Sequence, residues 1–77
     1  MLLDKEVGVS NLYKMTEIVG TSDKSFDDAA KMAVERASKT LRGLKWFEIT
    51  DMRGKIKDGK IAEFQTTMKV GFKLEEE

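Results

Sequence analysis

The chain has 77 residues, and 14 Lys plus Arg balance 14 Asp plus Glu, so its net charge is zero. That length allows one small domain, and the charge balance disfavours a basic nucleic-acid binder. Cysteine and histidine are both absent, which excludes disulfides, thiolate metal sites, the usual imidazole ligand or base, and Ser-His or Cys-His hydrolases.

Residues 1–10 (MLLDKEVGVS) have mixed polarity without a period and read as a flexible N-terminal extension. They carry no basic region followed by an apolar stretch, the pattern of a secretory signal. No apolar run approaches the roughly 20 residues of a membrane span, so a cytoplasmic protein is the expectation. Residues 11–20 (NLYKMTEIVG) are rich in β-branched and aromatic side chains and read as a first strand. Thr21 to Lys24 reads as a polar connector.

A helix follows. Ser25 is its predicted N-cap, with Asp28 completing an approximate capping box and Asp27 adding charge that suits the dipole. Phe26, Ala30, Ala33, Ala37, Leu41 and Leu44 form one helical stripe, and its alanines let the helix lie close on a sheet. Lys39 and Arg42 fit a last turn, with Gly43 as the left-handed residue after it. Met32, on the polar side, reads as a subunit contact or a tolerated surface residue.

Residues 44–74 read as one long hairpin around Asp58-Gly59. If that pair is the turn, Ile49 faces Met68, Phe47 faces Val70, Glu48 faces Lys69 and Trp46 faces Gly71. The alternation of the last strand points Ala62, Phe64, Thr66, Met68, Val70, Phe72 and Leu74 at the helix. The element order is β-α-β-β, an α+β protomer. With the third strand between the other two, it is a three-stranded antiparallel sheet of order 1-3-2 wrapping one helix. Residues 11–74 make the single domain, and 75–77 a solvated acidic tail.

Trp46, the only tryptophan, then shares the face away from the helix with Gln65, and Gly71 opposite it leaves a small gap. An indole offers a stacking surface, and a glutamine amide can read the edge of a heterocycle such as an imide. From the residues alone, a tryptophan on the second face of a two-layer domain reads more readily as a subunit contact than as a ligand platform, and the small core itself favours a homo-oligomer. Strict alternation puts Arg53 on the helix side, so a phosphate-binding role for it needs a β-bulge, for which Gly54 is the sign. Glu17, Glu48, Asp51 and Glu63 show no spacing that singles out a catalytic pair. Gly20-Thr21-Ser22 lacks the pattern of a phosphate-binding loop.

At these residues the sequence resembles the dodecins, small flavin-binding proteins. The resemblance is carried in order by Glu17-Ile18-Val19-Gly20-Thr21-Ser22, Ala37-Ser38-Lys39-Thr40-Leu41-Arg42, Trp46-Phe47-Glu48, Arg53-Gly54, Phe64-Gln65 and Lys69-Val70-Gly71-Phe72. It implies a hollow homododecamer that binds and sequesters flavin, with FMN as the first candidate and riboflavin or FAD as alternatives. It also implies that flavins stack between Trp46 side chains of neighbouring subunits, that Gln65 hydrogen-bonds the polar end of the isoalloxazine, and that Arg53 holds the FMN phosphate. Lys73 stands where many members have an arginine. Coenzyme A is a ligand of some members. On this reading the protein is not an enzyme and holds no metal. The other readings are a structural homo-oligomer without flavin and a weak single-strand nucleic-acid binder.

Overall fold

The computed structural model describes residues 11–74; the expectations for 1–10 and for 75–77 lie outside the described residues. Within them the order is β1 (Tyr13–Ser22), α1 (Phe26–Ala37), β2 (Leu44–Lys57) and β3 (Lys60–Lys73). β3 is central and antiparallel to both neighbours, giving the order β1-β3-β2. The β-α-β-β protomer expected from the sequence is therefore present.

β1 runs two residues beyond its predicted end, and Thr21 and Ser22 pair with Gln65 and Phe64 instead of forming a connector. The Ser22 hydroxyl explains why a polar residue ends this strand. It donates to Asp28 Oδ2 at 2.7 Å and accepts from the Lys24 amide at 2.9 Å, so its burial leaves no unmet hydrogen bond.

Ser25 caps α1 as predicted, accepting from the Asp28 amide at 2.9 Å. The other half of the capping box is replaced, because the Asp28 carboxylate turns to Ser22. The helix stops at Ala37, more than a turn short of the predicted end at Arg42. There the Ser38 and Thr40 hydroxyls donate to the carbonyls of Glu35 and Ala37 and draw the chain out of the helix. Arg36, rather than Lys39 or Arg42, is the basic residue of the last turn. Gly43 does take the left-handed conformation, at φ 75°, but it opens β2. Leu41 and Leu44, now outside the helix, still pack on the core of Ala30, Met68 and Val70. The alanines do allow a close approach: a Cβ at Gly20 would overlap the Ala29 carbonyl and the Ala33 side chain.

The hairpin turn is at Asp58 (φ 53°) and Gly59 (φ 77°), the two positive angles that a type I′ turn needs. Trp46↔Gly71, Phe47↔Val70, Glu48↔Lys69 and Ile49↔Met68 pair as the sequence predicts. Two irregularities, between Ile49 and Asp51 and between Lys55 and Ile56, shift the register over the stretch between them.

α1 packs on β1 and β3. Thr66 is buried beneath it and donates to the Phe26 carbonyl at 3.1 Å, while Phe26 meets Phe64 edge to face. The β2 part of the same face is open: Phe47, Ile49 and Met52 point to the helix side yet are about half exposed. The hairpin also runs on past the last β1 pair, at Phe64, as two strands alone, with Ile56 77% and Ile61 65% exposed. No helix among the described residues is long and apolar enough to cross a membrane.

Candidate functional site

The three strands set out the sheet face away from the helix in cross-strand rows. Met15, Gly71 and Trp46 form one row, Glu17, Lys69 and Glu48 another, Val19, Thr67 and Asp51 a third, and Thr21, Gln65 and Arg53 a fourth. Each row joins one residue from each of the three strands.

The fourth row corrects the placement of Arg53. Strict alternation puts it on the helix side, but Arg53 lies directly across from Gln65. The cause is the irregularity at Thr50, not Gly54: Thr50 has no partner in the ladder, its hydroxyl donates to the Thr67 carbonyl at 3.3 Å, and every later residue of β2 changes face. Gly54 has a different explanation, since a Cβ there would run into the Glu63 carbonyl oxygen.

Arg53 and Gln65 are each held by an acidic neighbour two residues away on its own strand. Arg53 donates through Nε (3.0 Å) and Nη2 to a single oxygen of Asp51. Gln65 donates through Nε2 to Glu63 Oε1 at 3.0 Å, and that oxygen lies 3.7 Å from Lys55 Nζ. The contact with Glu63 fixes which way the Gln65 amide is turned and leaves its carbonyl oxygen and second N–H for another partner. The ion pairs are exposed, with side-chain accessibilities of 68% and 43% for Arg53 and Asp51, so each contributes about 0–1 kcal/mol. An incoming anion can therefore redirect the guanidinium at little cost.

Trp46 stands at the far end of the face, and the gap predicted at Gly71 is filled by its own ring. A Cβ on Gly71 would overlap Cζ2, Cε2 and Cη2 of the indole, so the ring lies across the glycine. It reaches Tyr13 on β1, with ring centroids 5.2 Å apart and planes at 70°. Trp46 stays 41% exposed. Tyr13 escaped the sequence reading; its usable signal was a place on the Trp46 face, visible only once the β1–β3 register is known. Lys73 pairs with Tyr13 and so belongs to the Trp46 end, not to the Arg53 end. Gln65 and Gly71 are both on β3, so the Trp46 and Arg53 rows stand about 20 Å apart at roughly 3.3 Å per residue. One protomer thus brings Arg53 and Gln65 together, and separately Trp46 and Lys73, but does not bring the two pairs to one ring.

The helix side has a groove of about 550 Å³ between β1 and α1, lined by Thr16, Ile18, Met32, Arg36 and Leu41 among others. Met32 is 46% exposed there. No group of three or more acidic residues that could hold a metal ion occurs among the described residues.

The architecture so described is a one-helix, three-stranded α+β protomer with an uncovered second sheet face. Comparison with known proteins gives this class its family. The Dodecin family profile matches residues 12–75. Dodecin from Thermus thermophilus is 44% identical over 68 residues, covering 88% of this chain and 99% of that protein. The structure of dodecin from Streptomyces davaonensis superposes with a TM-score of 0.86 at 48% identity, covering 88% of this chain and all of the other. Dodecin from Streptomyces coelicolor gives 0.84 at 52% identity, covering 87% and 96%. A calcium dodecin from Mycobacterium tuberculosis, described with a calcium-binding site, gives 0.73 at 29% identity, covering 83% of this chain and 91% of that one. The chain belongs to the dodecin family.

Proposed function

We propose that this protein binds flavin, FMN before riboflavin or FAD, and stores it within a hollow homododecamer. The observation that carries the reading is the division of one exposed face into two partial sites. An aromatic stacking surface stands at one end and an amide beside a guanidinium at the other, too far apart for one flavin ring to touch both within a protomer. Two copies meeting face to face in opposite directions supply both halves to one guest. Trp46 gives the stacking plane, Gln65 an oriented acceptor and donor for the imide edge, and Arg53 a cation for the phosphate. Lys73 adds a cation at the indole end. Coenzyme A is a further candidate ligand, with no residues of this chain assigned to it.

Assembly is supported independently. Phe47, Ile49, Met52, Ile56 and Ile61 leave a run of apolar surface that a lone small domain has no means of covering. The role is binding and not turnover, since the chain lacks histidine and cysteine, the usual base and the most reactive nucleophile near neutral pH. Storage fits the chemistry of the guest: a flavin excited by light is quenched by electron transfer from a stacked indole, which limits photochemical damage. A cytoplasmic location is part of the same proposal.

The test is the absorption spectrum and solution mass of the purified protein, followed by titration of the flavin-free form with FMN. Quenched FMN emission at micromolar protein, in a particle of twelve chains, supports the proposal. A twelve-chain particle that leaves FMN emission unchanged leaves the structural homo-oligomer, with Trp46 as a subunit contact.

A further inference from the structure

We infer that Tyr13 is a positioning residue for Trp46, holding the indole over Gly71 in one orientation before any ligand arrives. Trp46 lies on β2, an edge strand, where a tryptophan side chain is free to swing outward. Here it is drawn inward across β3 instead. Two features hold it. The absent side chain at Gly71 gives the benzo ring a floor on which no other residue type leaves room. Tyr13, pairing with Lys73 and so one row beyond Gly71, meets the indole from β1 at 5.2 Å and 70°. That is the edge-to-face arrangement aromatic rings prefer, and such a pair favours one geometry over its alternatives. Tyr13 is itself 42% exposed, so burial alone does not account for its place.

The consequence for ligand rests on the flavin reading above. A stacking surface fixed in advance loses less rotamer freedom on binding, so Tyr13 raises affinity without touching the guest. Position 13 then sets how firmly the stacking plane is oriented, while Trp46 supplies the plane itself.

Trp46 is the only tryptophan and Tyr13 the only tyrosine in the chain, which makes the inference directly readable. The near-ultraviolet circular dichroism and indole emission of the flavin-free full-length protein are compared for wild type, Tyr13→Phe, Tyr13→Leu and Tyr13→Ala, and each is titrated with FMN. Tyr13→Phe retains the indole signal and the affinity, because it keeps the ring. Tyr13→Leu and Tyr13→Ala lose the structured indole band and bind FMN about 2- to 12-fold more weakly, the range an aromatic pair supplies. An unchanged indole band in Tyr13→Leu overturns the inference, whatever FMN does. If the band collapses in Tyr13→Leu and survives in Tyr13→Phe while wild type binds no FMN, the positioning role stands and the flavin reading falls. Tyr13→Leu keeps apolar bulk on β1 and covers the case in which Tyr13→Ala fails to fold.

Discussion

Arg53 and Gln65 face each other across β2 and β3 because one residue, Thr50, drops out of the ladder between them and the indole end of the sheet. Without that slip the guanidinium projects to the helix side, away from the amide. If Arg53 holds the FMN phosphate, Arg53→Ala weakens FMN binding and leaves riboflavin, which lacks the phosphate, nearly unchanged. A charged hydrogen bond lost at this exposed site costs about 1.5–3 kcal/mol at most. Parallel fluorescence titrations with the two ligands read the difference. Equal losses for both assign Arg53 to the ring instead.

Asp51 holds the same guanidinium. Asp51→Asn removes a competing anion, so FMN binding strengthens relative to riboflavin by a few-fold, in keeping with the roughly 0–1 kcal/mol of an exposed ion pair. Raising the salt concentration narrows the gap between wild type and variant.

Trp46→Ala removes the stacking plane. The loss is about 1–3 kcal/mol, or 5- to 150-fold in affinity, and FMN emission recovers. Gly71→Ala acts on the same ring from below: the new methyl overlaps the indole and displaces it, so the emission maximum of Trp46 shifts even without ligand.

Gly20→Ala tests the packing of the helix on the sheet. The added methyl meets the Ala29 backbone and the Ala33 side chain, and backbone has little room to give. Overpacking of this kind costs about 1–3 kcal/mol, measured as a lowered melting temperature with the ligand contacts intact.

Much of this was legible in the sequence where the signal is local. Asp58-Gly59 announces its turn because only a few residue types accept two positive φ angles in succession, and from that turn the pairing of Trp46 with Gly71 follows by counting. Ser25 is likewise a local signal. The end of α1 was misplaced because the Leu41 and Leu44 stripe continues past the point where Ser38 and Thr40 take over the backbone carbonyls. The side of Arg53 was lost for a different reason. A threonine that leaves the ladder looks in sequence like any strand threonine, whereas Gly54, which does look like a bulge, is a glycine because of the Glu63 carbonyl. Tyr13 was out of reach because β1 meets β3 across half the chain, and no local turn sets that register.

Among the described residues, Ala29, Ala30, Met68 and Val70 are the only buried apolar side chains. So thin an interior cannot by itself outweigh the entropy of ordering the chain. On the proposed assembly, folding and association are one event, and the melting temperature is expected to rise with protein concentration. Ile56→Asp, placed on the hairpin beyond the last β1 pair, should show its damage on dilution first, as a mutation of the particle and not of the fold.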